Sequence, residues 1–161
     1  VDGLLALARY EAGLAAPAIE PLELCAMVRR LVEERAARSA ARALVVECKL
    51  PAEAWVQSDA VLLERVLSNL LGNAVDHAPH GARIVVSVEL GAVEATLAIV
   101  NPAPELDARD VAQLGERYFR PDSAPLDRRH VGLGLALSIA IARQLGIELD
   151  FTLRDGLLCD A

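Results

Sequence analysis

Little in this sequence points toward disulfides, nucleic acid or a membrane. Its three cysteines, Cys25, Cys48 and Cys159, are scattered, odd in number and form no CxxC pair. They read as small core residues in a reducing compartment. Positive charge is short: the formal net charge is −7, which argues against broad, nonspecific nucleic-acid binding, a function that needs a basic footprint. A local site can still oppose the overall sign, so a nucleotide is not excluded. No apolar run is long enough to span a bilayer, no signal peptide is visible, and there are no internal repeats. The chain opens inside a helical pattern and stops at LLCDA, inside what reads as a strand. The expectation is a domain of a longer protein, with any membrane attachment carried by upstream segments.

What is present suits one folded unit. Apolar residues make up 54% of the 161 and charged residues 24%, enough to bury a core rather than stay disordered. Residues 2–12 are helical in composition and end at Gly13, a plausible cap. LAAPAIEP follows as a linker. Helical spacing of Leu24, Val28 and Leu31 predicts a helix from about Pro21 to Arg42. Alternation of Leu44, Val46, Cys48 and Leu50 predicts a strand with one buried side. Ser58 or Asp59 caps a helix reaching about His77, with the stripe Leu63, Val66, Leu67, Leu70, Leu71, Ala74. Two alternating runs, Ile84–Leu90 and Val93–Ile99, form a hairpin about Gly91-Ala92. NPAPEL (101–106) breaks the second strand. A short helix spans about Asp107 to Arg117, and residues 120–131 read as a mobile loop. The apolar helix GLGLALSIAIARQLG comes next, and a last hairpin turns at Arg154-Asp155-Gly156. Helices and a mostly antiparallel sheet without a βαβ rhythm make the class α+β, with a helix layer on one sheet face.

Two stretches carry candidate chemistry. In NLLGNAVDHAP, Asn69, Asn73 and His77 recur every four residues and share a helix face, with Asp76 on its edge. Asparagine is a poor mid-helix residue because its side chain competes for backbone hydrogen bonds. Its amide oxygen is a fair ligand for Mg²⁺. Solvent exposure or a backbone hydrogen bond would explain the pair equally. In VGLGLALSIA, Gly132 and Gly134 open an apolar helix whose unpaired N–H groups and dipole suit a phosphate. A tight, ligand-free helix start fits the same spacing.

The order of these pieces resembles the catalytic ATP-binding domain of sensor histidine kinases, in the gyrase-like ATP-binding superfamily. The resemblance covers nearly everything from Pro21 onward. NLLGNAVDHAP looks like the N box, NPAPEL stands where the first glycine box belongs, ERYFRPD looks like the F box, and GLGLALSIA looks like the second glycine box. LLALARYEAG resembles the end of a dimerisation hairpin, which would divide the chain into residues 1–16 and a catalytic domain at 17–161. The implied fold is a two-layer α/β sandwich of the Bergerat type. Its sheet is mixed, mostly antiparallel, and covered by helices on one face.

The resemblance also implies roles. Asn73 would hold the Mg²⁺ that bridges the ATP phosphates, and Asn69 would line the same site. His77 matches an aromatic that packs on adenine, and Asn101 the acidic residue that accepts the adenine amino group. Arg120 would reach the terminal phosphates. Gly132, Leu133 and Gly134 would cradle phosphate, under a lid at 121–131. The implied reaction is phosphoryl transfer from Mg²⁺-ATP to a histidine on the dimerisation domain, then relay to a response regulator. Partners would be that domain, in a homodimer, and the regulator, with no nucleic acid. By family habit the domain is cytoplasmic, in an inner-membrane sensor.

The chain departs from the pattern in two ways. The first glycine box normally reads Asp-x-Gly-x-Gly, whereas here it is Asn101-Pro102-Ala103-Pro104-Glu105. A neutral acceptor holds adenine less firmly, by on the order of 1 kcal/mol. A glycine-only conformation at Ala103 would add a similar penalty. An Asn-Pro-Gly variant of the box resembles that of heavy-metal-type sensor kinases. Asp76 stands where the family carries Lys or Arg. A carboxylate about 6 Å from a phosphate, at an effective dielectric near 20, costs roughly 3 kcal/mol before screening, unless the side chain turns to solvent.

Two absences sharpen the reading. The gyrase-type enzymes carry a water-activating Glu where Asn69 stands, and an amide cannot act as a general base. Neither His77, His80 nor His130 has the acidic neighbour of a phosphoacceptor, so that histidine is expected upstream of Val1. Trp55 and Phe151 read as packing residues, and His80, Arg128 and Arg129 as surface. Two alternatives remain: a docking module of this fold that no longer binds nucleotide, and an anti-sigma-type serine kinase. The helical opening LLALARYEAG argues against the second.

Overall fold

A computed structural model describes residues 16–114, 134–154 and 156–160. Arg120, Gly132 and Leu133, the lid at 121–131, the F box, and residues 1–15 of the hairpin end expected over 1–16 lie outside the described residues.

Among the described residues, five strands form the main sheet, in the order β2-β4-β5-β7-β6, from β2 (Val45–Lys49), β4 (Arg83–Leu90), β5 (Ala95–Pro102), β6 (Phe151–Arg154) and β7 (Leu157–Asp160). Among the described residues, only β2 and β4 run parallel, with Val46 opposite Ile84. The other pairs are antiparallel. The sheet is thus mixed and mostly antiparallel, as expected. A separate antiparallel ribbon pairs β1 (Glu20–Glu23) with β3 (Trp55–Ser58). The helices are α1 (Leu24–Glu33), α2 (Ala36–Ala41), α3 (Ala60–His77), α4 (Ala108–Gln113) and α5 (Gly134–Leu145).

The core lies between the sheet and the helices. Ile84, Val86 and Val88 alternate into it from β4, against Leu63, Val66, Leu67, Leu70 and Leu71 of α3 and Leu137 and Ile141 of α5. Their outward neighbours Arg83 and Glu89 are exposed, which gives the period-two pattern of a sheet covered on one face. The hydrophobic effect supplies about 25 cal/mol for each Å² of this apolar surface removed from water.

The helix expected over Pro21–Arg42 is corrected to three elements. Residues Glu20–Glu23 extend into β1, and Glu23 then caps α1, its carboxylate accepting from Cys25 N and Ala26 N. The same carboxylate accepts from Ala54 N at 2.7 Å, tying the helix start to the approach to β3. α1 ends at Glu33, and α2 ends on Ala43 at φ 54°. There Ala43 N donates to Ala40 O and Leu44 N to Ser39 O, at 3.0 and 2.9 Å. This is the Schellman arrangement, normally built on glycine. A second correction concerns the cysteines: Cys25 is buried, but Cys48 is exposed and Cys159 only half-buried. Cys48 shares a face of β2 with Val46, opposite buried Val86, but stays exposed at the sheet's edge, where β2 is paired only on its β4 side.

Candidate functional site

The cap of α3 is Asp59, whose carboxylate accepts from Leu62 N at 3.0 Å and from Ala18 N at 2.8 Å. These bonds hold its carboxyl below the usual range. From there α3 runs 18 residues to His77, so Asn69 and Asn73 lie in its second half. The apolar stripe faces the sheet, and both asparagines fall beside it, half-buried, as their spacing predicts.

Asn69 joins two elements that are 65 residues apart. Its Nδ2 donates to Gly134 O and to Ser138 Oγ, both at 3.2 Å. Ser138 Oγ donates in turn to Gly134 O at 3.0 Å. A Cβ added at Gly134 would lie 3.8 Å from Asn69 Cγ, so the asparagine amide rests directly on the first described turn of α5. With Nδ2 engaged, the Oδ1 of Asn69 is the atom left to accept. Ser138 is fully buried and was not anticipated. Its signal was a hydroxyl inside an apolar helix, four residues after Gly134. Asn73 makes no side-chain hydrogen bond among the described residues and His77 is exposed.

The first glycine box ends β5. Asn101 is only 2% exposed. Its Nδ2 donates to Pro102 O at 3.2 Å, which fixes the amide orientation, and its buried Oδ1 has no donor among the described residues. A buried acceptor without a donor is costly, by about 1–3 kcal/mol, and fits a ligand that brings an N–H. Ala103 N donates to Gly156 O at 2.8 Å, pinning the box to the turn between β6 and β7. Ala103 is not among the residues of positive φ, so alanine meets no glycine-only demand here.

Asp76 does not turn to solvent. Its side chain is 9% exposed and pairs with Arg38 of α2 at 2.6 Å. Two further α2-side arginines grip the same helix. Arg35 donates to Ser68 O and Ser68 Oγ at 2.9 and 2.7 Å, and Arg42 donates to Asp76 O and Ala78 O, both at 2.6 Å. Arg42 thereby satisfies carbonyls at the C-terminal end of α3, where a cation also complements the helix dipole. Burial pushes the Arg35 guanidinium down, while nearby Glu34 and then Asp76 oppose that shift and Arg38 adds to it.

Among the described residues there is no cluster of three or more His, Cys, Asp or Glu able to hold a metal. The donors at this site are amide oxygens. They suit a Mg²⁺ that takes one or two protein oxygens and completes its shell with phosphate and water. A cavity of about 220 Å³ lies elsewhere, at the start of α3, lined by Ala18, Glu20, Asp59, Val61 and Leu62. It contains none of the candidate residues.

Residues 58–157 match the family model described as histidine kinase-, DNA gyrase B-, and HSP90-like ATPase. The chain is 32% identical over 147 residues to the sensor protein IrlS of Burkholderia pseudomallei, which is 90% of this chain and 30% of that protein. It thus spans about 30% of the length of such relatives. Its fold superposes on the Acinetobacter baumannii histidine kinase AdeS with a TM-score of 0.81 at 22% identity, over 99% of this chain and 73% of that one. It also superposes on full-length ShkA in complex with AMPPNP, at 0.82 and 17% identity, over 99% of this chain and 33% of that one. The chain belongs to the histidine kinase-, DNA gyrase B-, and HSP90-like ATPase family, and carries the fold of the catalytic domain of sensor histidine kinases.

Proposed function

We propose that this domain binds Mg²⁺-ATP and supplies the γ-phosphoryl group to a histidine on an adjoining dimerisation domain. The observation that carries the reading is the seating of Asn69 against Gly134 and Ser138. It joins the asparagine face of α3 to the glycine-bearing helix start of α5. In this reading Asn73 offers its amide oxygen to Mg²⁺ and Asn69 lines the same site. Asn101 Oδ1 accepts the adenine amino group, and His77 covers the ring. Arg120, Gly132, Leu133 and Gly134 meet the phosphates. Bound Mg²⁺ offsets phosphate charge. The chain's own contribution is positioning and charge neutralisation, which suffices for a loose phosphoryl-transfer transition state.

In the transfer an imidazole nitrogen of the acceptor forms a bond to Pγ. The bond from Pγ to the bridging oxygen breaks, and ADP leaves with the electron pair. Asn69 cannot deprotonate water, which favours retaining ATP for that acceptor over hydrolysing it. The acceptor histidine lies on the segment preceding this chain, with residues 1–16 as the end of its hairpin. The phosphoryl group then passes to an aspartate of a response regulator. No helix among the described residues is long and apolar enough to cross a membrane. We assign the domain to the cytoplasmic side of a membrane sensor.

The test uses the full-length protein with γ-labelled ATP. Label that is acid-labile and alkali-stable marks a phosphoramidate, and Asn73→Ala should abolish both the label and the Mg²⁺ dependence of nucleotide binding. Nucleotide binding by Asn73→Ala with its Mg²⁺ dependence unchanged would refute the metal role.

A further inference from the structure

The ion pair between Arg38 and Asp76 sits at an unusual place for a buried carboxylate. Asp76 lies three residues after Asn73 and seven after Asn69 on α3. At about 100° per residue it projects roughly 20° from the direction of Asn69 and roughly 60° from that of Asn73. An anionic side chain therefore shares the face that this account gives to phosphates and their metal. Its side chain is 9% exposed, so water screens it poorly, whereas Arg38 is 58% exposed. Arg35 and Arg42 flank the pair, but both are committed to main-chain oxygens: Arg35 to Leu31 O and Ser68 O, Arg42 to Asp76 O and Ala78 O. Arg38, by contrast, pairs with the carboxylate itself.

We propose that Arg38 is an electrostatic positioning residue for the nucleotide site, acting through Asp76: its guanidinium neutralises the carboxylate and holds it toward α2, so that phosphates can occupy the asparagine face. The proposal rests on the nucleotide reading above. It commits to a ligand class graded by charge, since an unneutralised carboxylate repels each phosphate charge and leaves an uncharged nucleoside untouched. Arg38 is exposed and Asp76 is an edge residue, so loss of the guanidinium leaves the apolar core intact.

The experiment measures binding of adenosine, ADP and a non-hydrolysable ATP analogue with Mg²⁺ to four proteins: the unsubstituted chain, Arg38→Ala, Asp76→Asn and the double variant. Arg38→Ala should weaken the ATP analogue on the order of tenfold, ADP less and adenosine not at all. Added salt should shrink the deficit, and Asp76→Asn introduced on top of Arg38→Ala should restore affinity. Thermal unfolding of each variant reports the fold. An equal loss for all three ligands would show a structural role and overturn the proposal, as would failure of the double variant to recover. Binding by the unsubstituted chain with Arg38→Ala unchanged overturns this proposal alone. No binding by the unsubstituted chain overturns the nucleotide reading as well.

Discussion

At the scale of single residues, the site is made of atoms that have a partner and atoms that want one. Among the described residues nothing donates to the buried oxygen of Asn101, and an incoming amino group would relieve it. Replacing the amide by a carboxylate strengthens the acceptor but buries a charge. Asn101→Asp should therefore tighten adenine-nucleotide binding about fivefold and destabilise the ligand-free protein by about 1–2 kcal/mol. Calorimetry and thermal unfolding read the two effects separately, and looser binding would contradict the acceptor role. Asn69 and Asn73 were legible in the sequence because mid-helix asparagines conflict with an apolar helix. Ser138 and Arg38 were not. The Ser138 hydroxyl marked an apolar helix without naming its partner, an arginine in a solvated-looking run carries no local conflict, and the partners lie in distant segments, 69 residues away for Ser138 and Asn69. The same distance hid the fate of Asp76, whose burial depends on α2.

At the scale of elements, the strongly periodic pieces were readable. α3, its Asp59 cap and the β4–β5 hairpin follow from spacing and turn residues, and the final hairpin from Asp155-Gly156. The stretch 20–42 was not, because helical spacing of Leu24, Val28 and Leu31 hid two breaks. One is made by Glu23, whose carboxylate collects three backbone N–H groups, from Ala54, Cys25 and Ala26. No local pattern announces the contact with Ala54. Those donors, that of Ala54 foremost, hold the Glu23 carboxyl below its ordinary 4.5. A depressed carboxylate stabilises the fold above its unfolded value, and this contribution is lost as pH falls through the lower folded value. Glu23→Gln should cost about 1 kcal/mol at neutral pH. Its melting temperature should then converge on that of the unsubstituted protein as pH falls below 4.5. A gap that stays constant across that range would contradict the cap. The other falls at Glu34-Arg35, between α1 and α2; past it, α2 ends on Ala43, at φ 54°. Alanine is strained in the left-handed region and glycine is not, so Ala43→Gly should stabilise by about 1 kcal/mol in denaturant unfolding. A loss of stability would contradict this capping geometry.

For the whole molecule, fold class and sheet composition were legible from the succession of elements, and family membership agrees with the motif order. Strand β2 was legible from its alternation, but its parallel pairing at the sheet edge and the separate β1–β3 ribbon were not, since pairing between segments leaves no periodic trace in either one. The fold brings the N-box helix and the second glycine helix together through Asn69, and pins the altered first box through Ala103 and Gly156. A net charge of −7 makes local neutralisation decisive for an anionic ligand. The most direct test of the central claim is a calorimetric titration of this chain with ADP and a non-hydrolysable ATP analogue, with and without Mg²⁺. The account predicts saturable binding that strengthens with the metal. Absence of binding up to millimolar nucleotide, with the fold intact by circular dichroism, would contradict it and leave a docking module of the same fold.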